Sequence, residues 1–257
     1  MIASHEPEPL QEGTLISHLI ELRTRLLRAL IAVLVLFIPC AIFDDQLFTF
    51  VATPLLEKMP RGAQMISTSL VAPFMAPLKL ALLAALFLGM PFVLYQVWAF
   101  VSPGLYRHEK RFAIPLLVSS IVLFYAGAAF AYFVVFPLMF AFLTTSAPSG
   151  VQIMTDMTNY LDFVLLLFFA FGVAFEIPVA TVLLASTGMV SVEAMGKNRG
   201  YVLLGIFVIA AFLTPPDAIS QTAMALPMYA LYEIGIIGSR FLLKQRKKNE
   251  SETATAE

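Results

Sequence analysis

Carboxylates are the side chains in this sequence whose surroundings could do chemistry. Glu21 sits in His18-Leu19-Ile20-Glu21-Leu22-Arg23, and Glu109 in Tyr106-Arg107-His108-Glu109-Lys110-Arg111. With Glu193, each lies among basic residues rather than beside other acids. A carboxylate can take a guanidinium through two parallel hydrogen bonds, which a lysine ammonium cannot reproduce. Such groups suit a cationic ligand. The local alternative for Glu21 is a surface pair with Arg25, four residues on, contributing a few tenths of a kcal/mol. For Glu109 it is simple moderation of a basic loop. Glu176 differs, because it stands inside a long apolar run, where an acid costs roughly 2.5 to 3.5 kcal/mol on insertion scales. It is either a functional group facing the bundle interior or a hydrogen-bonded structural residue. Glu233, closer to the end of its run, can snorkel. Catalytic chemistry finds no support: His5, His18 and His108 are scattered, Cys40 stands alone, and HExxH, Walker A and GxGxxG patterns are absent. The His, Ser or Asp constellations of intramembrane proteases are also missing. We expect no enzyme, no metal and no cofactor.

The elements that must position these acids follow from composition. The chain has 257 residues, 60% apolar and 13% charged, whereas soluble domains carry roughly a quarter charged residues. It therefore reads as an all-α integral membrane protein. A net charge of −1 gives no basic excess for nucleic acid. Uncharged or nearly uncharged runs of a length suited to crossing a bilayer number six, at about 26–43, 74–100, 112–142, 163–186, 201–213 and 219–237. Arg28 and Lys79 lie near run starts, where they can snorkel. Pro137 and the polar stretch 144–150 are expected to end the third run near Phe142. Thirteen of the 16 Lys and Arg residues fall on one side of a six-span arrangement; Lys58 and Arg61 fall opposite, and Lys79 within a run. That bias places both termini in the cytoplasm. Glu6, Glu8 and Glu12 stand where a cleaved signal peptide would be basic, so the first run is expected to be retained.

Leu15, Leu19, Leu22, Leu26 and Leu30 recur at helical spacing, predicting an amphipathic helix along the interface that turns into the first span. Pro91, Pro115, Pro178 and Pro227 favour kinks and a concave bundle. The fifth run, 201–213, would rise about 20 Å as a helix, some 10 Å short of a normal hydrocarbon core. Either the bilayer thins there or water enters, or Gly200 and Thr214 extend the helix. The organisation expected is a polar tail over 1–13, a membrane domain over 14–240 with two short C-terminal spans, and a basic then polar tail over 241–257, disordered from 250.

Several segments together resemble one family. They are His18-Leu19-Ile20-Glu21-Leu22-Arg23; Tyr95-Gln96-Val97-Trp98-Ala99-Phe100 with Ser102-Pro103-Gly104-Leu105-Tyr106 and Glu109; Phe175-Glu176-Ile177-Pro178; and Leu213-Thr214-Pro215-Pro216-Asp217. In order and spacing, over roughly residues 14–240, the chain resembles TatC, the multi-spanning subunit of the twin-arginine, Sec-independent protein translocase. The resemblance implies a receptor for twin-arginine signal peptides in the bacterial inner membrane, within machinery that exports folded proteins using the proton-motive force. It implies that Glu21 and Glu109 bind the arginine pair, that Arg23 and Phe100 shape the site, and that Pro54 and Asp217 hold the loops on the opposite face. Single-span TatA- and TatB-type partners are implied against spans five and six, with Thr214 and Gln221 as polar contacts, in a receptor complex containing several copies of this subunit. Glu176 would then be a candidate for proton coupling. The alternatives are a proton-coupled small-solute transporter, for which Glu176 is the only strong midplane group and no repeated halves are visible, and a scaffold without peptide affinity.

Overall fold

The structure, a computed structural model, describes residues 12–57, 65–101, 110–145, 154–214 and 218–256. Regular structure among them is helical, and the one extended contact is an isolated bridge between Ile66 and Asp156. Helix α1 (Glu12–Ile42) is continuous. This corrects the expected interfacial helix that turns into a span. Between Thr14 and Pro39 the chain has neither Gly nor Pro, so nothing interrupts its backbone ladder. Helix α2 (Asp44–Leu56) lies in the connection between the first two apolar runs, with Asp44 and Asp45 in its first turn, where they complement the helix dipole.

Helix α3 (Ala72–Val101) packs along α1. Small residues make that approach possible: Ala81 and Ala85 are fully buried beside Val33 and Cys40. At Gly89 an added Cβ would sit 3.3 Å from the Leu36 side chain and 3.4 Å from that of Val33. The two helices run antiparallel, because Val33 and Leu36 meet Gly89 while His18 meets Phe100.

The third apolar run forms α4 (Lys110–Phe130), one π-helical turn (Ala131–Val135) and α5 (Phe136–Thr145). Pro137 therefore lies within a continuing helical path. Its ring would clash with the carbonyl one turn earlier and it donates no N–H. The π turn just before it, where the Phe136 N–H reaches the Ala131 carbonyl, widens the ladder at that point.

Helix α6 (Met157–Ala174) and α7 (Ile177–Ser186) share the fourth run and are separated by a turn at Phe175 and Glu176, with Pro178 in the first turn of α7. α6 begins six residues before the expected 163 because Asp156 caps it. Its carboxylate accepts the Thr158 and Asn159 N–H groups at 3.0 Å each and, from the α2–α3 connection, the Thr68 hydroxyl at 2.6 Å and N–H at 3.1 Å. These hydrogen bonds, led by that of the Thr68 hydroxyl, hold the carboxyl down at about 2. Helices α8 (Val192–Lys197) and α9 (Arg199–Leu213) follow, then α10 (Ala218–Ala256). The tail expected to be disordered from 250 is instead a continuation of α10, with no Gly or Pro after Gly238 to interrupt the backbone ladder.

Ile16–Ile42, Ala72–Val101, Ile114–Phe142 and Met157–Ser186 are long and apolar enough to cross a bilayer, by length and composition. At 15 residues α9 is shorter and rises about 22 Å. Phe124, Phe136 and Phe171 anchor the interior, while Phe133 and Phe212 are 71% and 85% exposed. An exterior of that kind suits lipid, not water. Close helix crossings again use glycine: at Gly127 a Cβ would stand 2.5 Å from the Phe171 carbonyl oxygen, and at Gly172 2.5 Å from the Phe124 ring.

Candidate functional site

The α1–α3 contact continues to the end where α1 begins and α3 finishes. There the His18 ring stacks on Phe100, with centroids 4.2 Å apart and planes 23° from parallel. Helical spacing puts Glu21 and Arg25 along the same strip of α1 as His18. Both are partly buried, at 34% and 22% side-chain exposure, while Leu22, Leu26 and Leu27 around them are exposed. Arg25 donates from Nε at 2.8 Å and from Nη2 at 2.5 Å to Glu21 Oε1. The local pair thus forms, with the acid N-terminal to the base, the better orientation on a helix. Arg23, two residues from each, is exposed on another side of α1. Glu109 lies outside the described residues, directly before Lys110, the first residue of α4.

Two residues of the Tyr95–Phe100 stretch gain roles in the structure. Trp98 is buried and its indole N–H donates to Ser120 on α4 at 3.1 Å. Gln96 is only 5% exposed, and its Oε1 has no hydrogen-bond partner among the described residues. Both sit in the segment that carries the resemblance, so their neighbourhood was visible in sequence while their partners were not. The Ser120 hydroxyl also lies near the Glu176 carboxyl. Glu176 occupies the α6–α7 break, and its Oε1 is buried without a hydrogen bond among the described residues. Helical breaks expose backbone polar groups and place polar side chains at depth, which explains an acid being tolerated there.

Two further ion pairs join helices to one another. Lys79 does not simply snorkel: its ammonium reaches both oxygens of Asp162 on α6, at 2.7 and 3.0 Å. Glu233 is held by Arg199, with Nη2 donating to Oε2 at 2.7 Å, and by the Tyr229 hydroxyl donating to Oε1 at 2.8 Å. This links α9 to α10 across residues far apart in sequence, which single-helix spacing could not reveal. Between the same helices, Gln221 Nε2 donates to the Phe207 carbonyl at 3.0 Å. The buried Thr214 hydroxyl donates to the Ala210 carbonyl at 2.8 Å, closing the end of α9. Pro54 is buried near the end of α2, and α2 is tied down by the Tyr160 hydroxyl donating to Val51 O at 2.7 Å and the Tyr132 hydroxyl to Phe50 O at 2.9 Å. Asp217 lies outside the described residues.

Comparison with known proteins gives the family. The family model described as Sec-independent protein translocase protein (TatC) matches residues 17–227. The TatC of Escherichia coli strain K12 is 53% identical over 236 residues, 92% of each chain. That of Azotobacter chroococcum mcd 1 is 55% identical over 230 residues, 90% of each. A crystal structure described as the twin arginine translocase receptor TatC superposes with a TM-score of 0.78 at 38% identity, covering 87% of this chain and 98% of the other. An all-helical membrane fold, a matching solved structure and this identity along most of its length together place the chain in the TatC family of Sec-independent protein translocase subunits.

Proposed function

We propose that this subunit is the signal-peptide receptor of its translocase, gripping paired arginines between Glu21 and Glu109. In this reading it crosses the bacterial inner membrane six times with both termini in the cytoplasm, and works in a complex with TatA- and TatB-type partners and further copies of itself. The proton-motive force drives export of folded cargo, with Glu176 as the candidate coupling group. Arg23 and Phe100 shape the cytoplasmic site, Thr214 and Gln221 mark the partner-facing edge of α9 and α10, and Pro54 and Asp217 hold the opposite loops. Residues 14–240 form the membrane domain, with 1–13 and 241–257 outside it.

The observation that supports this most is the His18–Phe100 stack. It holds the Glu21 segment of α1 against the end of α3, the helix whose following connection carries Glu109. Charge-assisted hydrogen bonds to a carboxylate contribute about 1.5 to 3 kcal/mol each, and the planar fork of arginine satisfies two at once. Preference for arginine over lysine follows. The experiment is binding of a twin-arginine peptide and its twin-lysine variant to the receptor assembly, with Glu21→Ala and Glu109→Ala beside the parent, and reporter export in cells. Each substitution is expected to weaken the twin-arginine peptide at least tenfold and to block export. Unchanged binding in both variants removes the site.

A further inference from the structure

Glu21 is already occupied. Its Oε1 takes both the Nε and the Nη2 of Arg25, the same guanidinium chemistry that an incoming arginine would offer. A few residues along the α1–α3 interface lies a buried acceptor with nothing to accept: Gln96 Oε1, on a side chain 5% exposed. The antiparallel register brings the two into one layer. Val33 meets Gly89, and His18 meets Phe100. Arg25 lies eight residues before Val33 and Gln96 seven after Gly89, two helical turns in each direction. Both residues also lie on the inward strip of their helices, as their burial shows.

We infer that Arg25 is an internal stand-in for the ligand, and that a docking arginine displaces it from Glu21 onto Gln96. The inference rests on the proposed arginine site and assigns Arg25 and Gln96 as residues that position that site and set its selectivity. A buried acceptor without a donor is costly, whereas a displaced guanidinium that reaches it restores a charge-assisted hydrogen bond. The exchange is therefore nearly balanced within the protein, and the fit of the guest decides it. A guest arginine replaces one fork by another. A guest lysine offers a point charge against a seated fork and loses the competition. Discrimination thus comes partly from what must be displaced, not only from what is gained.

The test measures binding of the twin-arginine and twin-lysine peptides to the full chain in its assembly, for the parent, Arg25→Gln, Gln96→Met, Gln96→Glu, the Arg25→Gln/Gln96→Met double variant and Glu21→Ala. Arg25→Gln is expected to tighten the twin-lysine peptide more than the twin-arginine one, narrowing the preference about tenfold, the effect of one hydrogen bond to a charged group. Gln96→Met is expected to weaken the twin-arginine peptide by a similar factor when Arg25 is present and to do nothing when it is absent. Gln96→Glu, whose carboxylate competes with Glu21 for Arg25 before any peptide arrives, is expected to narrow the preference as Arg25→Gln does. Plain charge repulsion from Arg25 would help both peptides equally and leave positions 25 and 96 additive; either result overturns the exchange. Glu21→Ala separates the two levels. If it abolishes binding while positions 25 and 96 are additive, the exchange alone is wrong; if it changes nothing, the arginine site itself is wrong.

Discussion

Asp156 illustrates how one residue joins distant pieces of chain. It caps α6 and holds Thr68 from the α2–α3 connection, four hydrogen bonds in all. Because its carboxyl titrates lower in the folded state, at about 2 rather than 3.8, its contribution is complete above the unfolded value and is lost as pH falls from 3.8 through about 2. Thermal melts of the solubilised protein should therefore show part of the acid destabilisation in that window. Asp156→Ala should start lower and lose less on acidification; melting curves that fall in parallel for variant and parent would contradict this. The sequence singled out Glu21, Glu109 and Glu176 from their types and settings. The Glu21–Arg25 pair was legible as a spacing of four on one helix, whereas the meeting of Lys79 with Asp162, 83 residues away, was not, since it depends on which helix faces which.

Among the elements, the crossings of α4 with α6 and of α7 with α10 depend on missing side chains. At Gly127 the obstacle is the Phe171 backbone carbonyl, which cannot rotate away. Gly127→Ala should push α4 from α6 and destabilise by about 1–3 kcal/mol, as overpacking does. Gly205, with nothing near its Cβ position on α9, is the control: Gly205→Ala should be neutral or stabilise by up to about 1 kcal/mol through helix propensity. Denaturation midpoints of both variants in the same detergent decide it, and equal losses would refute the crossing argument. Gly235 meets Pro178 and the Thr181 side chain in the same manner. Apolar run lengths foretold most helix positions to within a few residues. The continuous α1, the π turn before Pro137 and the extended α10 were not foretold, because hydropathy marks where lipid lies and says nothing about where a backbone ladder stops.

For the whole molecule, the shortness of α9 has a mechanical consequence under the proposed role. A helix rising about 22 Å leaves several ångströms of hydrocarbon unmatched, which favours local thinning where single-span partners would gather. Inserting four leucines into α9 adds about 6 Å and should lower export of a reporter several-fold while peptide binding persists. Normal export by that variant would refute the link between thinning and transport. By itself the sequence determined the solvent and class of this protein, since 60% apolar residues leave too little polar surface to face water, and it determined which carboxylates were unusual, since charge is scarce in such a chain. Only the tertiary structure decided what neighbouring helices bring to those carboxylates. The stacking of His18 on Phe100 and the burial of the unmatched Gln96 acceptor arise from the register of α1 against α3. That register is fixed by the close packing of Val33 and Leu36 on Gly89, a fit between surfaces that hydropathy cannot encode.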